Sequence, residues 1–363
     1  MRNPLADKVV DIKPSGIRKF FDIVSEMPHA ISLGVGEPDF DTPWHVRSEG
    51  IRSLEKGRTF YTSNSGLIEL RQEICKWYQR KYNVLYDYKT EALLTVGGSE
   101  GIDVALRAML DPGDEVIIPE PCYVSYVPCV QLIGAVPVTI ELKNENQFRL
   151  TPEELLAAIT DKTKILILAF PSNPTGAVMT KEDLEPIAKI CQEKDIYVIS
   201  DEIYSELTYG GQKHCSISSL PGMKDRTIVI NGFSKAYAMT GWRLGYALAP
   251  EVIAHQMTKI HQFAIMCAPT NSQYAAVEAL RKSVHGDRAF FHARQTCDRY
   301  MISCVGQLRI NLIRKHVNIV ADDHFCDRFE IFSCHNRTGR IVRERQYQKF
   351  CLIGDRILQL LCR

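Results

Sequence analysis

The sequence predicts an α/β protein, a mostly parallel sheet covered by helices on both faces. Short apolar runs without polar alternation recur through the first 281 residues, the pattern of strands buried on both sides. Segments with helix start signals lie between them, so strand and helix alternate. Polar residues of functional type cluster just past the ends of the runs, and ligands of such sheets bind beyond the carboxyl ends of the strands.

In chain order, Thr95 to Gly101 (T-V-G-G-S-E-G) reads as a glycine-rich strand-to-helix turn. Glu115 to Pro119 (E-V-I-I-P) follows P-G-D and reads as a short buried strand. Thr151 opens a helix, with Pro152 at the first helical position and Glu154 closing a capping box. Lys164 to Phe170 (K-I-L-I-L-A-F) is the next strand. Thr180 caps the helix that follows, with Asp183 near the box position. Ile196 to Ser200 and Thr227 to Ile230 are further strands. No internal repeat or low-complexity segment interrupts the series.

A length of 363 residues suits two domains, or one large domain with an appendage. Apolar residues make up 45% and charged residues 24%, ordinary values for a globular protein. No apolar run approaches the roughly 20 residues that span a bilayer. The opening M-R-N-P-L-A-D-K lacks the apolar core of a secretory leader. Twelve cysteines contain no C-x-x-C pair. Together these predict a cytoplasmic protein with reduced thiols and no membrane partner.

Lys235 stands in S-K-A-Y-A-M-T-G-W-R, from Ser234 to Arg243, directly after the Thr227–Ile230 strand. A lysine at the mouth of a parallel sheet can form a Schiff base with a carbonyl. Arg243, in the same run, offers a planar cation that can hold a phosphate by two parallel hydrogen bonds. An aldehyde and a phosphate on one small molecule describe pyridoxal 5'-phosphate. Asp201, in S-D-E-I-Y, is placed to pair with a protonated pyridine nitrogen and so keep the ring an electron sink; the plain alternative is a solvated strand-end aspartate. Tyr204 and Asn173 (in P-S-N-P-T-G) can both bond the ring's phenolic oxygen, although N-P-T-G alone also reads as a turn. Ile203 and Tyr123 (in P-E-P-C-Y) can sandwich the ring, or can be ordinary core. Gly98, Ser99 and Glu100 open a helix whose backbone N–H groups suit an anion. A dinucleotide fingerprint, G-x-G-x-x-G, is absent. Gly34 to Pro38 (G-V-G-E-P) is a second tight segment.

Residues 15 to about 281 resemble a fold-type I pyridoxal-phosphate enzyme of the class I/II aminotransferase family. The resemblance rests on S-L-G-V-G-E-P-D-F-D-T-P (32–43), F-Y-T-S-N-S-G (60–66), G-G-S-E-G (97–101), N-P-T-G (173–176), D-E-I-Y (201–204) and S-K-A-Y-A-M-T-G-W-R (234–243), in the family's order and spacing. It implies an aspartate-aminotransferase-like large domain of three α/β/α layers, with a small domain beside it. It implies that Lys235, Asp201 and Tyr204 are catalytic and that Lys235 carries the cofactor covalently. The implied cofactor-binding residues are Gly98, Ser99, Glu100, Tyr123, Asn173, Asp201, Ile203, Tyr204, Ser234, Lys235 and Arg243. A homodimer is also implied, with Tyr61 reaching the neighbouring subunit's phosphate. Gly36 and Asn173 would line the substrate pocket, and the substrates would be an L-amino acid and a 2-oxo acid in ping-pong exchange. Aromatic, aspartate or acyl-diaminopimelate-type substrates are suggested. A carbon–sulfur lyase on the same fold and a non-catalytic cofactor binder are the alternatives from other classes.

The domain division expected is an N-terminal arm and start of the small domain (1–45), a large cofactor domain (46–281), and an atypical C-terminal segment (282–363). Up to Arg281 the chain has 29 Lys+Arg against 35 Asp+Glu; from Lys282 it has 15 against 8. All seventeen prolines precede that point, while six of the twelve cysteines follow it. The family's usual G-A-F-Y-like strand and carboxylate-binding R-x-S-x-A arginine are not found there, so no arginine is assigned to the substrate carboxylate. The basic residues are interleaved with Leu, Ile, Phe and Cys rather than blocked together, which argues against a nucleic-acid arm. The cysteine spacings match no zinc pattern, so no metal is expected. An unusual domain is a further reading. A shifted reading frame from near residue 283 accounts best for an abrupt change with no linker, and it predicts impaired activity.

Overall fold

The structure, a computed structural model, describes residues 2–12, 36–38 and 41–283. A short helix, α1 (Asp7–Val10), lies near the N-terminus. Helices α2 (Trp44–Glu55) and α3 (Ile68–Tyr82) precede the sheet. Seven strands follow: β1 (Ala92–Thr95), β2 (Glu115–Glu120), β3 (Val136–Glu141), β4 (Thr163–Leu168), β5 (Tyr197–Asp201), β6 (Thr227–Gly232) and β7 (Gly245–Leu248). They are ordered β1-β7-β6-β5-β4-β2-β3. The pairs β3–β2–β4–β5–β6 are all parallel, and β7 runs antiparallel between β6 and β1.

Helices fill the crossovers. They are α4 (Gly97–Met109), α5 (Tyr126–Ile133), α6 (Pro152–Ala158) and α7 (Lys181–Glu193), with α8 (Glu251–Ala264) and α9 (Thr270–Ser283) after β7. Both expected capping boxes are present. Thr151 Oγ1 accepts from Glu154 N at 3.3 Å while the Glu154 carboxylate takes Thr151 N at 3.1 Å. Thr180 and Asp183 do the same at 3.3 and 2.8 Å.

The strands alternate their side chains between two cores, as a period of two requires. Ile165, Ile167, Ile228 and Ile230 face one side with residues of α4, α5 and α8. Leu166, Leu168, Val198 and Val229 face the other, Val229 with residues of α2, α3 and α9, and the rest with residues of α6 and α7. Both faces are covered, so three α/β/α layers result. Each such aliphatic side chain contributes about 1.5–3 kcal/mol by leaving water.

Most expected strands stand where they were read, shifted by a residue or two at their ends. Strand β4 stops at Leu168 rather than Phe170, because the chain turns at Ser172, whose N–H bonds Ala177 O. The segment 1–45 falls mostly, and 282–363 almost wholly, outside the described residues.

One consequence of topology places the site. Strand β6 ends at Gly232, and the chain returns as β7 from Gly245. An antiparallel return needs no crossover, so the whole 233–244 loop stays at the carboxyl end of β6. Gly232 pairs with Gly245, and Gly245 pairs with Thr95 at the end of β1. The glycine-rich turn after β1 therefore meets the lysine loop at one rim of the sheet. Asp201, the last residue of β5, pairs with Ile230 beside them.

Candidate active site

Lys235 sits three residues beyond β6, with Ser234 buried before it. Its ammonium donates to the carbonyl of Gly36 and lies 5.6 Å from the Tyr204 ring centroid. Burial lowers its pKa. Glu37 and Asp201 oppose that shift by their charge, and Arg243 adds to it. Glu37 is itself bonded by the Thr240 hydroxyl, so residues 36 and 37 are latched to the lysine loop at two points.

Asp201 is 7% exposed. Its Oδ2 accepts from the Tyr126 hydroxyl at 2.8 Å and its Oδ1 from the Ile203 N–H at 3.1 Å. Burial raises its pKa, while those two donors and Lys235 pull the other way. Glu202 follows directly and points to the opposite side, as strand alternation demands. It is fully buried and satisfied by the hydroxyls of Ser216 (2.5 Å), Ser200 (3.1 Å) and Tyr78 (3.1 Å), with His214 Nε2 at 3.4 Å. Two adjacent acids thus have separate surroundings, and only Asp201 faces the rim.

Asn173, in the turn beyond β4, reaches the Tyr204 hydroxyl with Nδ2 at 3.4 Å. Burial pushes the Tyr204 phenol up to about 12. Tyr123 meets Tyr126 edge-on, with ring centroids 5.6 Å apart.

The turn at Val96–Glu100 lies against Arg243. A Cβ added to Gly97 would come within 2.6 Å of Arg243 Nη2, and Gly97 has φ +77°. Arg243 Nη2 also approaches Val96 O at 3.5 Å. The Glu100 carboxylate turns inward, taking Val96 N at 2.5 Å and His261 Nδ1 at 2.6 Å. Only the backbone of Glu100 is left for an anion. Gly245 passes so close that a Cβ there would meet Gly97 C at 2.5 Å and Gly98 N at 2.6 Å. Gly245→Ala is expected to destabilise the protein by about 1–3 kcal/mol, because neither backbone can give way. Urea unfolding checks this; an unchanged midpoint would show that the turn tolerates displacement.

A profile of the family Aminotransferase class I and II matches residues 28–321. The chain belongs to that family. This aminotransferase is 51% identical over 284 residues to the Bacillus subtilis (strain 168) protein YugH, covering 78% of this chain and 73% of that one. It is 45% identical over 277 residues to aromatic-amino-acid aminotransferase 2 of Thermococcus litoralis, covering 76% and 71%. The solved aspartate aminotransferase of Thermus thermophilus with maleate superposes with a TM-score of 0.77 at 37% identity, covering 82% and 78%.

Class I/II aminotransferases depend on pyridoxal 5'-phosphate. The residues present fit that group. An amine, a buried carboxylate and a guanidinium set against a glycine turn gather at one rim, matching an aldehyde, a ring nitrogen and a phosphate. Among the described residues no helix is long and apolar enough to cross a membrane, and no cluster of His, Cys, Asp and Glu could hold a metal. Tyr126, Glu202 and His261 were not anticipated. Their partners are 75, 14 and 161 residues distant, and no local pattern announces such pairings.

Proposed function

We propose that this aminotransferase moves the amino group of an L-amino acid to a 2-oxo acid in two half-reactions at one site. Supporting this is the convergence of Lys235, Asp201, the Asn173–Tyr204 pair and the approach of Arg243 to Val96 O at one rim. Pyridoxal phosphate, when bound, supplies an electron sink that acidifies the substrate's α-hydrogen. Lys235 would take that proton from the α-carbon and hand it to the cofactor's C4′ carbon. Its burial favours the neutral amine that a base must be. Asp201 holds the positive charge of the ring nitrogen. Tyr204 and Asn173 hold the phenolic oxygen, and Ile203 and Tyr123 flank the ring. Arg243, Ser234 and the N–H groups of Gly98, Ser99 and Glu100 hold the phosphate. Asn173 and the Gly36 carbonyl border the substrate.

The subunit is read as half of a homodimer, with Tyr61 of the partner subunit completing the phosphate site. Supporting this, Phe60 and Tyr61 are 80% and 78% exposed on a loop tied by Thr270 to the start of α9. The large domain that holds the cofactor spans residues 46–281. A cytoplasmic setting is supported by free thiols at Cys75, Cys122, Cys129, Cys191, Cys215 and Cys267.

Aspartate and aromatic amino acids are the donors to try first, since relatives carry those names. A donor panel against 2-oxoglutarate is expected to give parallel double-reciprocal lines, the mark of ping-pong exchange. Pyruvate and ammonia released from cystathionine without an oxo acid would instead make the protein a lyase.

A further inference from the structure

Tyr126 is the first residue of α5 and is 2% exposed. Its hydroxyl donates to Asp201 Oδ2 at 2.8 Å, and its ring meets Tyr123 at 5.6 Å with planes 80° apart. One side chain thus touches both the residue assigned to the ring's face and the carboxylate assigned to its nitrogen. The carboxylate needs that help. Burial favours its neutral acid, and a neutral acid cannot hold a pyridinium. A donor bonded to the charged form opposes that bias. The phenol keeps the proton it donates: burial first, and the Asp201 charge second, hold it well beyond the ordinary range.

We propose that Tyr126 is a positioning residue of the cofactor site, its hydroxyl keeping Asp201 ionised and aimed at the pyridine nitrogen. The inference rests on the pairing of Asp201 with that nitrogen proposed above. A purely structural Tyr126 would affect melting but not the protonation of the cofactor ring.

The full chain is reconstituted with pyridoxal phosphate labelled with nitrogen-15 in the ring, as wild type, Tyr126→Phe and Asp201→Asn. Nuclear magnetic resonance of the label reads ring protonation, and fluorescence titration reads cofactor affinity. A protonated ring is expected in the wild type and a neutral one in Asp201→Asn. In Tyr126→Phe the ring is expected to lose its proton at a lower pH than in the wild type. Its cofactor Kd is expected to rise about tenfold or more, the loss typical of a hydrogen bond to a charged group. Tyr126→Met gives a second side chain without a donor should the Phe variant not fold. A wild-type ring signal and Kd in the donor-free variant would overturn the role of Tyr126. A protonated ring in Asp201→Asn would instead overturn the pairing beneath it.

Discussion

Replacing Lys235 by alanine is expected to remove the visible absorption of the lysine-bound cofactor and to cut turnover by about 10³-fold or more. A positioned acid–base group contributes about 10²–10⁴-fold by itself, and Lys235 is also the nucleophile that carries the cofactor. No neighbour can take over. Asp201 is occupied by Tyr126 and Ile203, and Arg243 does not deprotonate. Absorption spectra and single-turnover reactions with an amino donor check this; retained turnover would end the assignment of Lys235. The same variant tests the electrostatics. The fold holds the Lys235 amine below its ordinary 10.5, so its charged form is worse off folded than unfolded. That penalty is full below the folded pKa and vanishes above the unfolded one. The apo variant should therefore gain in Tm over wild type at neutral pH, and the gap should close as pH passes 10.5.

Local signals were legible and long-range ones were not. Thr151 with Glu154, and Thr180 with Asp183, are capping pairs three residues apart, and a helix start depends on little else. The inner strands could be read because both faces are buried, which leaves no polar interruption. Strand β3 was missed: it is an edge strand containing Pro137, half exposed, and edges tolerate proline. Strand β7 is four residues, G-Y-A-L, too short to show a period. Its antiparallel sense follows from the short return after β6, a matter of topology rather than composition. The placement of Lys235, Asp201 and Asn173 at the rim was legible because each lies at or past a strand end. Tyr126 and His261 are selected only by contacts that close when the sheet forms.

Asp201→Asn is expected to separate function from stability. Removing one partner of a buried charge pair costs about 3–5 kcal/mol, which is between about 10² and 10⁴ in rate if spent on the reacting ring. An asparagine keeps the size of the side chain, and its carbonyl still accepts from Tyr126 or Ile203. Its amide presents a donor where the ring nitrogen needs an acceptor. The fold itself should not suffer. Burial holds the Asp201 pKa above its ordinary 3.8, so ionised Asp201 weakens the folded state. A raised carboxyl pKa loses stability as pH climbs from the unfolded value through the folded one. The apo variant should therefore melt at or above the wild-type temperature at pH 7, while pyridoxal phosphate raises its Tm less than it raises that of the wild type. A variant that melts earlier without cofactor would place Asp201 in the frame of the fold. A variant that keeps full turnover would leave the positive charge of the ring to be held by another group.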